Sequence, residues 1–454
     1  MDARLERGPI ARARRLAVVI AAVWAGLVAT ALVVPAAAAE PVATRLTASS
    51  PAGPAGTTTT VRVVLAEQSA APVADAEVVL ERVLDGTPVR LAGRTGADGV
   101  AEVAVPIAAT GAENLLTVSF AGTSTHAPSS IEHQLRLTPA KSRITLRAPS
   151  GVVQGKQATF TATWVTPSGI AVAGVRLSLQ RKDGSRWRPA GTGTTDRAGV
   201  ARIALTPRSS ARYRIAARAT ALATAPASSA VSVRLRPTIA AVTLPKGAPA
   251  PRVKLPPQPL AFSSTANPVT TRIPDRVWRT MVGRSWHRGC LARSSLRLVR
   301  VNYWDYRGFR RRGELVVARA VAPKMAKAFT ALYDARLPVR SMYRVDRFGW
   351  SKRLHGADDY ASMAAGNTSA FNCRNVVGRP GVLSPHARGR SLDLNPWENP
   401  YASPRDGWVP NRWWVSRCHA TVGWCTSSHR VVRTLRAAGL RWTYGTRDRH
   451  HFDG

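Results

Sequence analysis

Acidic residues, cysteine and long apolar runs are all scarce in this 454-residue chain. Only 26 Asp and Glu stand against 65 Lys and Arg, which gives a formal net charge of +39 and indicates a polyanionic environment or partner. Arg outnumbers Lys 57 to 8, a bias that a GC-rich genome also produces, so charge alone identifies no partner. Hydrophobic residues at 45% and charged residues at 20% exclude wholesale disorder. The length excludes a single compact domain.

The one long apolar run lies near the N-terminus, from Leu16 to Val34, and follows five arginines. Small residues, Ala36 to Ala39, then lead into Glu40. This order of basic, apolar and small residues predicts a secretory signal over residues 1–39. An uncleaved anchor is the alternative, because the run is long enough to span a bilayer, but the alanines favour cleavage. The Arg14-Arg15 pair leaves Sec and twin-arginine export open. We expect no stable membrane span after cleavage.

Cysteine is absent from the region between the signal and residue 236, so its cores must be held by packing alone. Apolar residues alternate with polar ones there, which predicts short strands. The run Thr95, Gly99, Val100 and Ala101 recurs 100 positions later as Thr195, Gly199, Val200 and Ala201. A period near 100 residues predicts two β-sandwich modules, 40–138 and 139–236.

These modules resemble the immunoglobulin-like repeats of bacterial surface proteins, in which a T-D-x-x-G-x-A unit is common. No cluster of His, Asp or Glu in them suggests chemistry. We therefore interpret them as spacers or weak wall-binding units. The following segment, 237–272, contains eight prolines between Pro237 and Pro268 and is predicted to be a linker.

Residues 273–454 differ in composition, since they hold seven of nine histidines and all four cysteines. A helix is predicted from about Pro323 to before Pro338, with Met325, Phe329 and Leu332 on one face. A second helix is predicted from Ser428 to Ala438. Mixed helices and strands without a βαβ rhythm indicate an α+β domain. The predicted strands are Leu315–Ala318, Ser391–Asn395 and Arg441–Tyr444.

The most informative stretch runs from Ser384 to Pro396. Gly389 permits a bend that carries His386 back beside Asp393, and an imidazole with a carboxylate makes two zinc ligands. The tail Asp448-Arg449-His450-His451 offers a third. A hydrogen-bonded loop pair without metal is the alternative interpretation of His386 and Asp393.

The stretch is similar to the S-x-H-x-x-G-x-A-x-D signature of the zinc D-Ala-D-Ala carboxypeptidase and L-alanyl-D-glutamate endopeptidase family. The tail is similar to the E/D-x-x-H element of that family. Upstream, Thr368 to Arg374 resembles the T-S-x-F-N-C-R run of the endopeptidase branch, as do Gly289-Cys290 and the Asn399-Pro400-Tyr401 run. The resemblance covers about residues 274–454 and not the β modules. It implies a zinc peptidase domain that cuts peptidoglycan stem peptides.

By this resemblance His386, Asp393 and His451 would ligate zinc, and Asp448 would be the general base. Three departures from the family pattern matter. Ser391 replaces an alanine, a small-for-small change. Asp448 replaces the glutamate of carboxypeptidases, which favours an endopeptidase. His450 stands where tryptophan is common, so the ligand could be His450 instead of His451.

Two further sets of residues are candidates. Arg374 is the candidate cation for an oxyanion or a substrate carboxylate, with Arg344 as the second choice. Four cysteines in an exported chain favour two disulfides out of three possible pairings. The short separation of Cys418 and Cys425 would leave Cys290 with Cys373. A cysteine zinc site is the alternative, but no C-x-x-C spacing is present.

The sequence thus predicts a secreted, extracellular or wall-associated zinc metallopeptidase that acts on peptidoglycan and is held near anionic wall polymers. The alternative is a non-catalytic wall-binding or adhesion protein with a degenerate peptidase-like domain. Nucleic acid is not expected as a partner, because the arginines are scattered and export removes the usual targets. The oligomeric state and the bond that is cut remain open.

Overall fold

The computed structural model describes residues 40–225 and 227–454. The predicted secretory signal, 1–39, lies outside the described residues. Within the described part, no helix combines the length and the apolar character needed to cross a membrane.

The first module is a sandwich of two antiparallel sheets. One sheet has the order β1-β2-β5 and the other β4-β3-β6-β7. Alternate residues such as Leu116 and Val118 are fully buried between the sheets, because a strand turns every second side chain inwards. The strands are β1 (Thr44–Ser49), β2 (Thr58–Glu67), β3 (Glu77–Leu84), β4 (Thr87–Arg94), β5 (Val100–Pro106), β6 (Leu115–Phe120) and β7 (Ser129–Gln134).

The second module repeats this plan. Its sheets have the orders β13-β10-β8 and β12-β11-β14-β15-β9. Phe160, Trp164 and Tyr213 are fully buried in its core, and no cysteine is needed to hold it. The strands are β8 (Arg143–Arg147), β9 (Gly151–Val153), β10 (Ala158–Val165), β11 (Arg176–Asp183), β12 (Arg186–Thr194), β13 (Val200–Leu205), β14 (Ala211–Ala216) and β15 (Val231–Arg236).

The proline-rich segment lies along the C-terminal domain. Trp397 Nε1 donates to Pro249 O at 2.7 Å, and Tyr343 Oη donates to Pro256 O at 2.7 Å. Gln258 is 4% exposed and donates from Nε2 to Met342 O at 2.7 Å. Segment 237–272, which we call the strap, therefore packs against this domain and does not extend through free solvent.

The C-terminal domain builds its main core between the sheet β16-β17-β18 and two helices. A proline in the first turn fits the start of α2, and Met325, Phe329 and Leu332 are buried on one face of it. The elements are β16 (Val269–Thr271), α1 (Asp275–Met281), β17 (Leu296–Trp304), β18 (Arg310–Ala318), α2 (Ala322–Asp334), β19 (Trp350–Ser351), β20 (Gly356–Ala357), α3 (Asp359–Ala364), β21 (Asn375–Val376), β22 (Arg379–Leu383), β23 (Ser391–Asp393), β24 (Tyr401–Ser403), β25 (Gly407–Val409), α4 (Arg430–Ala437) and β26 (His451–Asp453).

The fold class predicted from the sequence is confirmed: two all-β sandwiches precede an α+β domain. One predicted element is wrong. Residues 441–444 form no strand, and only Arg441 bridges to Asp453, because the chain turns at Tyr444 into the 3-10 helix Gly445–Arg447. The predicted strand 391–395 also stops at Asp393, since Asn395 has a φ of 46°, outside the extended region.

All four cysteines form disulfides. Cys290 pairs with Cys373 and Cys418 pairs with Cys425, which is the pairing that the short Cys418–Cys425 separation favours. The first bond ties the segment after α1 to the residue that precedes Arg374, so it fixes one wall of the site described next.

Candidate active site

Three short elements bring the histidines and the aspartate of the motif together. A 3-10 helix, Pro385–Arg388, carries His386 and ends at Gly389, whose φ is 65°. A side chain is not tolerated at Gly389, because a Cβ there would lie 2.7 Å from Ala318 N. The chain then enters β23, which pairs with β26 so that Asp393 stands directly opposite His451.

The three side chains converge on one point. His386 Nε2 lies 3.2 Å from Asp393 Oδ2 and 3.1 Å from His451 Nδ1. His451 Nδ1 lies 3.2 Å from Asp393 Oδ1. The three ligand atoms fall within 4.8 Å of one another, and each residue is at most 3% exposed.

Outer hydrogen bonds fix which ring nitrogens face this point. His386 Nδ1 donates to Ala370 O at 2.7 Å, which leaves Nε2 with a lone pair. His451 Nε2 lies 3.1 Å from Asp453 Oδ1 and donates to it, so in the neutral ring Nδ1 carries the lone pair. When both rings are neutral, two imidazole lone pairs and a carboxylate therefore meet at this point. This is the donor set and the outer support that zinc prefers.

The electrostatics of the cluster also favour a cation. Burial raises the pKa of Asp393, but the neighbouring His386 and His450 outweigh burial and hold that pKa well below its ordinary value. Burial lowers the pKa of His451, yet hydrogen bonds to Asp393 and Asp453 raise it to about 10. Positive charge, as a proton or as a metal ion, is thus stabilised where the ring faces the carboxylates.

Asp448 and His450 border this cluster without joining it. Burial, followed by the charge of Asp393, raises the pKa of Asp448. Its buried Oδ1 lies 3.2 Å from His450 Nε2 but is too poorly aligned for a hydrogen bond, so the oxygen has no partner. His450 Nδ1 donates to Asn399 O at 2.7 Å, and its Nε2 is 3.8 Å from Asp393. His451, not His450, belongs to the compact His–Asp–His group.

A cavity of about 200 Å³ opens beside the cluster. Arg374 lines it and is the only Lys or Arg among the lining residues that the structure describes. Its Nη2 lies 2.7 Å from Asp359 Oδ2, and its buried Nε has no hydrogen-bond partner. Tyr401 and Tyr444 also line the cavity. Asp359 and the carbonyl of Asn375 thus hold the arginine in place, and its Nε donor is unpartnered.

The other candidates lie elsewhere. Arg344 is bound by Glu314 and Asp346 and does not line the cavity. His287 comes close to Cys290 and Cys373, but both sulfurs are oxidised to a disulfide and cannot bind metal as thiolates.

Sequence reasoning missed three residues of the site. Asp359 precedes Arg374 by 15 positions, so nothing in the sequence links them. Tyr444 lines the cavity. Ser384, the first residue of the motif, was given no role from the sequence and is buried in the cavity wall with an unpartnered hydroxyl. Asp453 had a usable signal, because residues two apart on a strand share one face.

Family comparison agrees with the place of this site. Residues 377–454 match the family model described as D-alanyl-D-alanine carboxypeptidase. The matched region contains the His–Asp–His group and Asp448. The C-terminal part of the chain therefore carries a peptidase-like domain, and the match does not extend to the β modules.

Solved structures give weaker likenesses. The chain is 17% identical to invasin, a bacterial integrin-binding protein, over 59% of this chain and 48% of that one, with a TM-score of 0.31. It is 14% identical to the adhesin InvE of Yersinia pseudotuberculosis, over 42% of this chain and 58% of that one, with a TM-score of 0.26. The chain spans about half the length of each, and likenesses at this level carry no functional implication. No curated protein sequence is significantly similar to the chain.

Proposed function

We propose that this chain is a secreted zinc metallopeptidase that hydrolyses amide bonds in peptidoglycan stem or cross-link peptides. The observation that carries the proposal is the buried convergence of His386 Nε2, Asp393 and His451 Nδ1, with the other nitrogen of each ring engaged by a hydrogen bond. The family match over 377–454 supports a peptidase.

The three residues would hold the metal and leave a further coordination position towards the cavity. When bound, zinc supplies a Lewis acid for the scissile carbonyl and lowers the pKa of the attacking water. Ala370 O and Asp453 hold the two imidazoles in the tautomers that ligation requires.

Asp448 is the proposed general base. Its free oxygen borders the same cavity, and its raised pKa suits a group that takes a proton and returns it. Asp448 would accept the proton of the attacking water at Oδ1 and deliver it to the leaving amine. Arg374, oriented by Asp359, is the one Lys or Arg among the described lining residues and would stabilise negative charge on the substrate.

By the resemblance to the peptidase family, aspartate rather than glutamate at position 448 supports an endopeptidase over a carboxypeptidase. The alternative is a wall-binding or adhesion protein with an inactive peptidase-like domain, for which the two β modules are the motivation.

Digestion of purified peptidoglycan tests the proposal. The zinc-loaded full chain should release new amino termini that mass spectrometry assigns to one stem-peptide bond, and Asp448→Asn is the matched inactive control. New D-Glu amino termini would indicate the L-Ala–D-Glu bond, whereas free D-Ala would indicate a carboxypeptidase. No new termini from a chain that holds zinc would favour the non-catalytic alternative.

A further inference from the structure

The two β modules share a topology but carry opposite charge. Residues 40–138 contain six Lys and Arg against ten Asp and Glu, a net charge of −4. Residues 139–236 contain 17 against two, a net charge of +15. A genomic preference for arginine acts on both modules alike, so it does not explain this difference. The first module is therefore an internal control for the second.

Six cations of the second module share the outward face of its larger sheet. In β14 the arginines alternate with the buried Tyr213 and Ile215, and in β15 they alternate with the buried Val233. The strands β11, β14 and β15 are adjacent in the sheet. We name as the basic face Arg176, Lys182, Arg212, Arg214, Arg234 and Arg236.

The first module has no such face, although its strands pair in the same register. Leu80 opposes Val118 in one module as Leu179 opposes Ile215 in the other. The adjacent pair along these strands faces outwards. It is Glu81 with Thr117 in the first module, and Gln180 with Arg214 in the second.

The first module also neutralises the two exposed arginines of β4. Arg90 lies 3.4 Å from Glu77 and 3.8 Å from Glu81, and Arg94 lies 2.8 Å from Asp75.

The basic face has no such acidic neighbours. The two acids of the second module are occupied elsewhere: Asp183 pairs with Arg181 and Arg188, and Asp196 pairs with Arg202. Among the described residues, no ion pair neutralises any member of the basic face.

Neutral groups hold the cations of the face instead. Arg214 Cζ lies 4.5 Å and Lys182 Nζ 5.2 Å from the centre of the Trp187 ring, and Arg214 Nε donates to Gln180 Oε1 at 2.9 Å. Gathered like charges repel each other across a sheet, so a bound anion would relieve that repulsion.

We propose that the basic face binds a linear polyol phosphate, that is, a polyanion with a phosphodiester backbone and no bases. Guanidinium groups match phosphate oxygens in a bidentate fork. Same-face residues on a strand are spaced by about 7 Å and adjacent strands by about 4.8 Å, so one flexible chain can contact several cations at once. A membrane surface suits the face less well, because the apolar ring of Trp187 is covered by two cations.

The inference rests on the extracellular location within the proposed function, where phosphodiester wall polymers occur, and not on peptidase activity. By this inference the second module holds the enzyme on the wall, and the net charge of the whole chain does not. The first module and the strap then have no part in binding the polymer.

Binding of the full chain to poly(glycerol phosphate) at several salt concentrations tests the proposal. The triple variant Lys182→Gln/Arg212→Gln/Arg214→Gln should bind at least tenfold more weakly at about 0.1 M salt. Its slope of log K against log salt should fall by about 2, since each phosphate contact contributes about 0.7 for a single-stranded polyanion. A second variant, Arg234→Gln/Arg236→Gln, should show a loss in the same direction.

The matched control removes the same charge from the same module outside the basic face. Arg143→Gln/Arg147→Gln/Arg197→Gln should weaken binding less than twofold, and hydrolysis of a soluble stem peptide should be unchanged in every variant. Equal losses in both triple variants would overturn the proposal, as would tighter binding to a single-stranded oligonucleotide or to phosphatidylglycerol vesicles. Polymer binding that persists in a chain without peptidase activity would separate this inference from the proposed function.

Discussion

Asp393 and His451 stand directly opposite each other in the β23–β26 pair, with Oδ1 and Nδ1 3.2 Å apart. The pairing places a residue three positions before the last one beside a residue in the middle of the domain. Because side chains alternate along a strand, a slip of one residue would turn His451 away and present a neighbour instead. The register of this short pair therefore decides which histidine can complete the cluster.

The first prediction concerns metal content. The purified chain should bind about one zinc, and His386→Ala or Asp393→Ala should lose it, because two ligands hold zinc far more weakly than three. Elemental analysis after dialysis measures this directly. His355→Ala is the control, since His355 lies outside the His–Asp–His group, and should keep full zinc. Full zinc in all three variants would show that the metal is bound elsewhere.

The second prediction concerns the disulfides. Thiol titration of the unfolded, unreduced chain should find almost no free thiol. Loss of the Cys290–Cys373 bond should cost about 2 kcal/mol more than loss of Cys418–Cys425, because the closed loops differ in length, with separations of 83 and 7 residues. Paired Cys→Ala variants can be compared by urea unfolding followed by tryptophan fluorescence, since ten of the 13 tryptophans lie in the C-terminal domain. Equal costs would contradict the loop-length argument.

The sequence predicts those parts of the fold that depend on local patterns. The helix that begins near Pro323 is confirmed, since Met325, Phe329 and Leu332 mark one face clearly. The repeat with a period near 100 residues likewise predicts both β modules, because alternation on a half-buried strand is a local property.

What the sequence does not predict depends on contacts between distant residues. The Arg374–Asp359 ion pair joins two segments that no pattern connects. The strap along the C-terminal domain depends on single hydrogen bonds such as Trp397 to Pro249, which leave no periodic trace in a proline-rich segment. The basic face becomes visible only when strand register shows which arginines of the second module point outwards.

The third prediction separates the base from the ligands. Asp448→Asn is nearly isosteric, so the variant should retain zinc and the fold. It removes the proton acceptor, and a positioned acid–base group is typically worth about 10²–10⁴ in rate. Peptidoglycan cleavage and zinc content should be measured on the same preparation. Cleavage as fast as in the parent would exclude Asp448 as the base, whereas loss of zinc would make it a ligand.

The last prediction concerns the chain end. His451→Ala should lose zinc, and deletion of residues 451–454 should have the same effect, because both remove the third ligand. His450→Ala should keep the metal, since its Nδ1 is engaged by Asn399 O and His450 stands outside the compact group. Asp453→Asn should weaken zinc affinity by about 10–100-fold without abolishing binding, because Asp453 only orients the His451 ring. Zinc titration of the four variants distinguishes these outcomes. If His450→Ala loses the metal while His451→Ala keeps it, the ligand is His450, and the β23–β26 register places the wrong histidine in the cluster.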